Sequence, residues 1–277
     1  MSEKKRRLTD LHTDIESHFL ETYKIGQAQG VWREQHTKRI LKYLDRIVEV
    51  TPPMKFVVTG CGPVPVTMRA IAEEGFDVTG IEPVTEYVEN ANEYLNGNGE
   101  VLKGWCENIP AEDDKFDVLF CESVLEHVDS PEKSLNEFYR VLKPGGVAYI
   151  ATENRHRFSI TGKNSEFNVR FYNFFPASVK EGYINKHLNV SPQLASYTPI
   201  PAVNWFTYSE LCRLGRFAGF GKFYSLLDVM DNTDPKMKKM PFAKFILKRV
   251  RKNMWLRALF LSQRGGGTVF MYKRKDY

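Results

Sequence analysis

The chain has 277 residues, 42% of them hydrophobic and 26% charged, with four cysteines and a formal net charge of +5. That is an ordinary soluble globular composition, long enough for one α/β domain with additions, and it excludes a disulfide-rich scaffold: Cys61, Cys106, Cys121 and Cys212 are widely spaced, form no Cys-x-x-Cys pair and read as reduced thiols of a cytoplasmic protein. The first residues are charged and no apolar run is long enough to span a bilayer, so neither a secretory leader nor a spanning helix is expected. Apolar spacing predicts helices over Leu8–Tyr23 and Trp32–Val50, with Gly26 and Gly30 between them, as an N-terminal extension over residues 1–50.

Alternation then begins. Strands are expected at Lys55–Thr59, Asp77–Glu82 and about Glu100–Gly104, with helices near Val66–Glu74 and Val84–Leu95 and a turn at Asn96-Gly97-Asn98-Gly99. Phe116–Ser123 reads as a strand opening into a loop, Ser130-Pro131-Glu132 as a helix start, and Val147–Thr152 as a buried strand. Strand–helix alternation at this spacing predicts a parallel sheet with helices on both faces over residues 51–153.

From 154 to 206 the pattern breaks down into a stretch rich in Phe, Tyr, Asn and Pro, best read as an inserted cap rather than a structureless loop. Regular structure resumes at Thr207-Tyr208-Ser209-Glu210, which has the form of a capping box, and the helix it starts should run to Gly219. A strand Phe223–Val229 and a final strand Thr268–Tyr272 complete residues 207–277. Between these strands, residues 235–264 hold ten Lys or Arg and no Asp or Glu. Phe242, Phe245, Ile246, Val250 and Met254 are expected on one helix face there, with Lys244, Lys248, Arg251 and Lys252 on the other, the pattern of a membrane-surface or polyanion-binding helix.

The turn Thr59-Gly60-Cys61-Gly62-Pro63 follows the apolar run Phe56-Val57-Val58, and Glu82 ends the next short strand. Glycines let a strand turn into a helix while backbone N–H groups approach a ligand, and a carboxylate at the second strand's end can hold two ribose hydroxyls. An adenosine-containing cofactor is therefore expected. With Phe116–Ser123, Val124-Leu125-Glu126-His127-Val128 and Leu142-Lys143-Pro144-Gly145-Gly146 following in this order, the chain resembles the class I S-adenosylmethionine-dependent methyltransferases of the type 11-like group.

The resemblance implies a Rossmann-like, doubly wound seven-stranded sheet with an antiparallel last strand, and S-adenosyl-L-methionine as cofactor. It assigns Gly60, Cys61 and Gly62 to the turn under the cofactor's amino-acid portion and Glu82 to the ribose. Trp105 and Cys106, in the loop Trp105–Pro110, would flank the adenine, and Cys121 and Glu122 would approach the methionine part. The chain departs from the family at Val58 and Trp105, where acidic residues are frequent, and at Val64, where a third glycine is usual. Trp105 cannot accept a hydrogen bond from the adenine amino group. Pro63 and Pro65 stiffen the turn, as in nicotianamine synthase-like enzymes, which move an aminocarboxypropyl group from the same cofactor.

Transfer of a sulfonium methyl asks mainly for alignment and for removal of a proton from the nucleophile. His127 and His156 are the candidate bases, since an imidazole with a pKa near ~6.5 accepts a proton at neutral pH. Either could equally serve only to anchor its loop. Arg155 and Arg157 match an anionic acceptor group, and Tyr172 belongs to the aromatic set of the cap that would line an acceptor pocket. The expected acceptor is an oxygen, with nitrogen second, on a small molecule or saccharide, presented in the cytoplasm or at the inner membrane surface through contact by 235–264. No metal is expected, and a nucleic-acid acceptor is disfavoured by the absence of an RNA-binding module. A catalytically silent cofactor-binding scaffold, an RNA methyltransferase, an aminocarboxypropyl transferase and a nicotinamide-dependent oxidoreductase stay open as alternatives.

Overall fold

The computed structural model describes residues 30–152, 154–155, 175–176, 178–179, 204–231, 234, 242–263 and 267–275. Helix α1 (Gly30–Leu44) precedes β1 (Lys55–Thr59), α2 (Val66–Glu73), β2 (Asp77–Glu82), α3 (Thr85–Leu95), β3 (Glu100–Lys103) and β4 (Phe116–Glu122). Next come α4 (Pro131–Val141), β5 (Leu142–Ala151), α5 (Tyr208–Ala218), β6 (Lys222–Ser225), α6 (Leu226–Val229), α7 (Ala243–Lys252), α8 (Met254–Gln263) and β7 (Thr268–Tyr272).

The seven strands form one sheet in the order β3-β2-β1-β4-β5-β7-β6. Strands β1 to β5 are parallel, and β7 runs antiparallel to both β5 and β6. This is the doubly wound, Rossmann-like architecture that alternation predicts. Strand order reverses between β1 and β4, so the crevice at their carboxyl ends is where such sheets bind ligands.

Side-chain alternation sends the sheet's two faces into two separate cores. Val57, Leu119 and Cys121 pack against Leu135, Phe138 and Val141 of α4 and Leu211 and Leu214 of α5. Phe56, Val58, Val118 and Phe120 face the other way, onto Ile40, Tyr43 and Leu44 of α1, Met68 and Ile71 of α2 and Ala91 and Leu95 of α3. Full burial of each Val, Leu, Ile, Phe or Met side chain among them contributes about 1.5–3 kcal/mol. The first helix of the described chain is thus part of the core, and its packing fixes what it holds over the crevice.

Local signals set the helix ends. Ser130 Oγ accepts from Lys133 N with Pro131 in the first turn, and Thr207 and Glu210 form the reciprocal capping box. Strand β5 starts at Leu142, five residues before the expected Val147, because Gly145 N and Gly146 O pair with the backbone of Lys273 just past β7. The expected strand Phe223–Val229 stops at Ser225. There the Ser225 N–H and Oγ both donate to the Asp228 carboxylate, at 2.8 and 2.7 Å, and the chain turns into α6. The basic segment is two helices broken at Asn253, and of the expected apolar face Val250 packs with Leu227, joined there by Leu247, while Phe242, Phe245 and Met254 are exposed.

Candidate cofactor site

The end of β1 turns through Gly60 at φ +59° and Gly62 at φ +69°, a backbone region that costs little only for glycine. A β-carbon on Gly60 would stand 2.4 Å from Cγ2 of Val124, in the loop after β4, so that residue is also too crowded for a side chain. Gly60 N donates to Ile81 O at 2.7 Å, tying the turn to the end of β2. Between the two glycines Cys61 points inward, and burial pushes its thiol well above the ordinary range.

Glu82, at the end of β2, is 5% exposed. Its two oxygens accept from Gly62 N at 3.0 Å and from Val84 N at 3.2 Å. Burial raises the carboxyl to about 7 despite those two amides. Each oxygen has room for a further donor, and neither meets a cation among the described residues. A buried carboxylate short of donors, held beside a glycine turn, fits a ribose diol.

Trp105 follows directly, since Gly104 N donates to Glu82 O at 3.1 Å. The loop is braced from α4: Glu107 accepts from Asp129 N and Ser130 N, and Ile109 N donates to Glu137. This leaves Trp105 37% exposed at the rim while Cys106 is buried, its thiol pushed well above the usual range by desolvation. Trp105 therefore does not fill the core.

At the end of β4 the two residues of Cys121-Glu122 diverge. Cys121 is buried under the strand, and burial pushes its thiol up to about 12, so it packs rather than reacts. Glu122 turns to α1 and accepts from His36 Nε2 at 2.9 Å. The Arg39 guanidinium donates to His36 Nδ1 at 2.6 Å, which fixes the proton on Nε2, and Trp32 stacks on the imidazole with centroids 5.3 Å apart. Burial would raise the Glu122 carboxyl, but the His36 hydrogen bond and the nearby charges of Arg33 and Arg39 outweigh it and hold the group below its ordinary value. Arg33 and Glu122 line one narrow cleft of about 30 Å³ with Val58, Gly60 and Cys61.

Sequence reading missed Arg33 and His36. The signal was there in Trp32, Arg33 and His36, polar and aromatic residues within one turn of a helix entering the first strand, but nothing local says which strand end they meet.

On the acceptor side, His127 lies half-buried in the turn after β4, with its N–H bonded to Val124 O at 2.8 Å. Its neighbour Glu126 accepts from Thr152 Oγ1 at 2.6 Å, joining the ends of β4 and β5. Arg155 pairs with Glu210 at 3.0 Å and donates to Trp205 O at 2.7 Å, so it holds the start of α5 to the end of β5. His156, Arg157 and Tyr172 lie outside the described residues.

Residues 57–150 match the family model described as a methyltransferase domain. A ubiquinone biosynthesis O-methyltransferase from Actinobacillus pleuropneumoniae is 34% identical over 109 residues, covering 36% of this chain and 46% of that one. Its counterpart from Rickettsia conorii is 26% identical over 141 residues, 50% of this chain and 48% of that one. The chain spans about half the length of the curated relatives it matches. Among solved structures, the methyltransferase-activator complex of Haloferax volcanii Trm112 contains a chain aligned with TM-score 0.54 at 19% identity, over 96% of this chain and 99% of that one. A SAM-dependent methyltransferase from Thermotoga maritima aligns with TM-score 0.51 at 19% identity, over 95% and 100%. Sheet order and the matched segment agree: residues 57–150 carry a methyltransferase domain, set in a Rossmann-like sheet whose glycine turn holds a buried carboxylate.

Proposed function

We propose that the protein is an S-adenosylmethionine-dependent methyltransferase acting on an oxygen, less readily a nitrogen, of a small-molecule or saccharide acceptor. The observation that carries this reading is the charge pattern of the crevice. Arg33 and a Glu122 held ionised by His36 face one cleft, an opposite-charge pair suited to the carboxylate and ammonium of an amino-acid moiety. Across the glycine turn, Glu82 offers its remaining acceptor capacity to two hydroxyls, and Trp105 offers a stacking face. The cofactor supplies an electrophilic sulfonium methyl; these residues bind and orient it, and buried Cys61, Cys106 and Cys121 keep that wall apolar.

Oxygen is preferred because the curated relatives are named as O-methyltransferases. The acceptor would approach from the ends of β4 and β5, where His127 stands, and we assign His127 as the base that takes the acceptor's proton, with His156 as the second candidate. Residues 154–206 are read as the cap that selects the acceptor, with Arg157 and Tyr172 as its anion-binding and aromatic contacts, and the basic segment 235–264 as the element that brings the protein to a surface.

The test is titration calorimetry with S-adenosylmethionine and with NAD, followed by incubation of acceptor mixtures with donor labelled in the methyl or in the carboxyl group. Binding of the methyl donor alone and transfer of the methyl label support the reading. Transfer of the carboxyl label would make the protein an aminocarboxypropyl transferase, and binding of NAD alone an oxidoreductase.

A further inference from the structure

The two helices α7 and α8 are attached to the sheet domain by a small contact. Leu247 and Val250 of α7 and Phe260 and Leu261 of α8 pack on Leu227 of α6 and on Met230. Two arginines turn inward to hold this unit. Arg251 donates to the carbonyls of Leu227 and Met230, and Arg257 pairs with Asp228 at 2.8 Å.

The outward surface is of another kind. On α7, Phe245, Lys248, Arg249 and Lys252 fall within one helical stripe and, with Asn253, line an open groove of about 350 Å³. Phe245 is 61% exposed, and the three cations have no acidic partner among the described residues. On α8, Met254, Trp255 and Leu259 are exposed at 72%, 77% and 60%. A core helix buries such side chains. A tryptophan left in water directly after a stripe of bare cations needs a partner that is apolar and anionic at once.

We infer that the outward face of α7 and α8 docks on an anionic lipid bilayer surface, Lys248, Arg249 and Lys252 meeting headgroup phosphates while Phe245, Met254, Trp255 and Leu259 enter the headgroup–acyl boundary. Charge complementarity selects this occupant. The segment 235–264 contains no carboxylate to repel such a surface, and Trp is the side chain best suited to the interface between water and acyl chains. Single-stranded nucleic acid would use the cations but has no use for Met254 and Leu259, whose flexible apolar chains offer no stacking plane. No helix among the described residues is long and apolar enough to cross a membrane, so the contact lies on the surface. This inference is independent of the reaction catalysed.

The full chain is sedimented with phosphatidylcholine vesicles and with mixed phosphatidylcholine–phosphatidylglycerol vesicles while tryptophan emission is recorded. The expected result is binding to the anionic vesicles alone, weakened by added salt and accompanied by a blue shift. Combining Lys248→Glu, Arg249→Glu and Lys252→Glu should weaken it by on the order of 100-fold. Combining Trp255→Ser and Leu259→Ser should remove the blue shift and weaken binding by about tenfold or more. Both variants alter exposed side chains, and circular dichroism with unchanged cofactor titration verifies that each is folded. No binding by the wild type, equal binding to zwitterionic vesicles, or undiminished binding by either variant would overturn the inference. So would retention of poly(U) without retention of vesicles, which would make this a nucleic-acid face.

Discussion

Two carboxylates close the same edge of the sheet, one at the end of β2 and one at the end of β4, and their surroundings push them in opposite directions. Among the described residues Glu82 is met by two backbone amides and no cation, and burial raises it to about 7. Glu122 is partly buried, and His36, Arg33 and Arg39 on α1 hold it below the ordinary carboxylate range. The difference lies in which partners the protein supplies itself. Glu122 is ionised in advance and can meet a ligand cation without giving up a proton. Glu82 is left for a ligand that brings its own hydrogen-bond donors, as a ribose does.

The largest break in this comparison comes from deleting the undersupplied carboxylate. If Glu82 holds the ribose as proposed, Glu82→Ala removes two charge-assisted hydrogen bonds, and affinity for S-adenosylmethionine should fall by on the order of 100-fold or more. Calorimetry reads this directly. A loss of less than threefold would mean that Glu82 only staples Gly62 and Val84, and that the ribose is held elsewhere.

The acid-base behaviour of Glu82 sharpens the comparison without any mutation. Hydroxyl donors favour the ionised carboxyl, so binding below about pH 7 must expel a proton, and the dissociation constant should weaken by about tenfold per pH unit from pH 7 towards 5 while staying flat above. For the free protein the sign is reversed. A carboxyl raised from 4.5 to about 7 favours the fold fully below 4.5, and that contribution is lost as pH rises through about 7. The stability of wild type relative to Glu82→Ala should therefore drop by about 2 kcal/mol between pH 5 and pH 8. Chemical denaturation at those two pH values measures it. Glu122 predicts no such loss on this side, because a lowered carboxyl favours the fold above its unfolded value.

These two strand ends were not equally legible in the sequence. Glu82 and the glycine turn are local: a strand, a turn with Gly60 and Gly62, a helix and a second strand fix their relation within one βαβ unit, and the spacing alone carries it. The bonds of Glu122 join residues 86 positions apart by a helix–sheet contact that no local pattern announces. The same limit explains the ends of elements. Ser225 stops β6 because Asp228 captures its N–H and hydroxyl, a competition that β-propensity of Phe223 and Tyr224 does not reveal. In α7 the periodicity was readable, but which part of the apolar face is buried depends on Leu227 arriving from α6: Val250 packs there with Leu247, which the expected face did not include, and Phe245 is left exposed. The sheet itself, with its antiparallel last strand, was readable because each strand is bounded by turn residues of its own.

A smaller effect is expected where α1 meets the ligand. Arg33 lines the cleft beside Glu122, and a guanidinium there suits a carboxylate in two-point contact. Arg33→Ala should weaken the methyl donor by about tenfold, and Arg33→Lys should recover part of this, since the charge is kept and the fork lost. S-adenosylmethionine lacking its carboxylate should bind both variants and the wild type alike. Equal losses for that analogue would assign Arg33 to the packing of α1 instead.

The smallest effect tests the support of Glu122 itself. His36→Ala removes the Nε2–H donor and the ring on which Trp32 stacks, leaving only the charges of Arg33 and Arg39 to oppose burial at the carboxylate. Its protonation should then move up towards that of Glu82, and the protein should lose about 1 kcal/mol of stability, present above the unfolded carboxyl value and lost as pH falls. Carbon-13 labelling of the glutamate carboxyls separates the two groups by titration. If the Glu122 signal stays below the ordinary range in His36→Ala, Arg33 and Arg39 suffice to hold it ionised, and the hydrogen bond orients the carboxylate without setting its charge. If it rises, the contrast between the strand ends is made by one imidazole, and α1 prepares the cleft for the ammonium of its ligand through that ring.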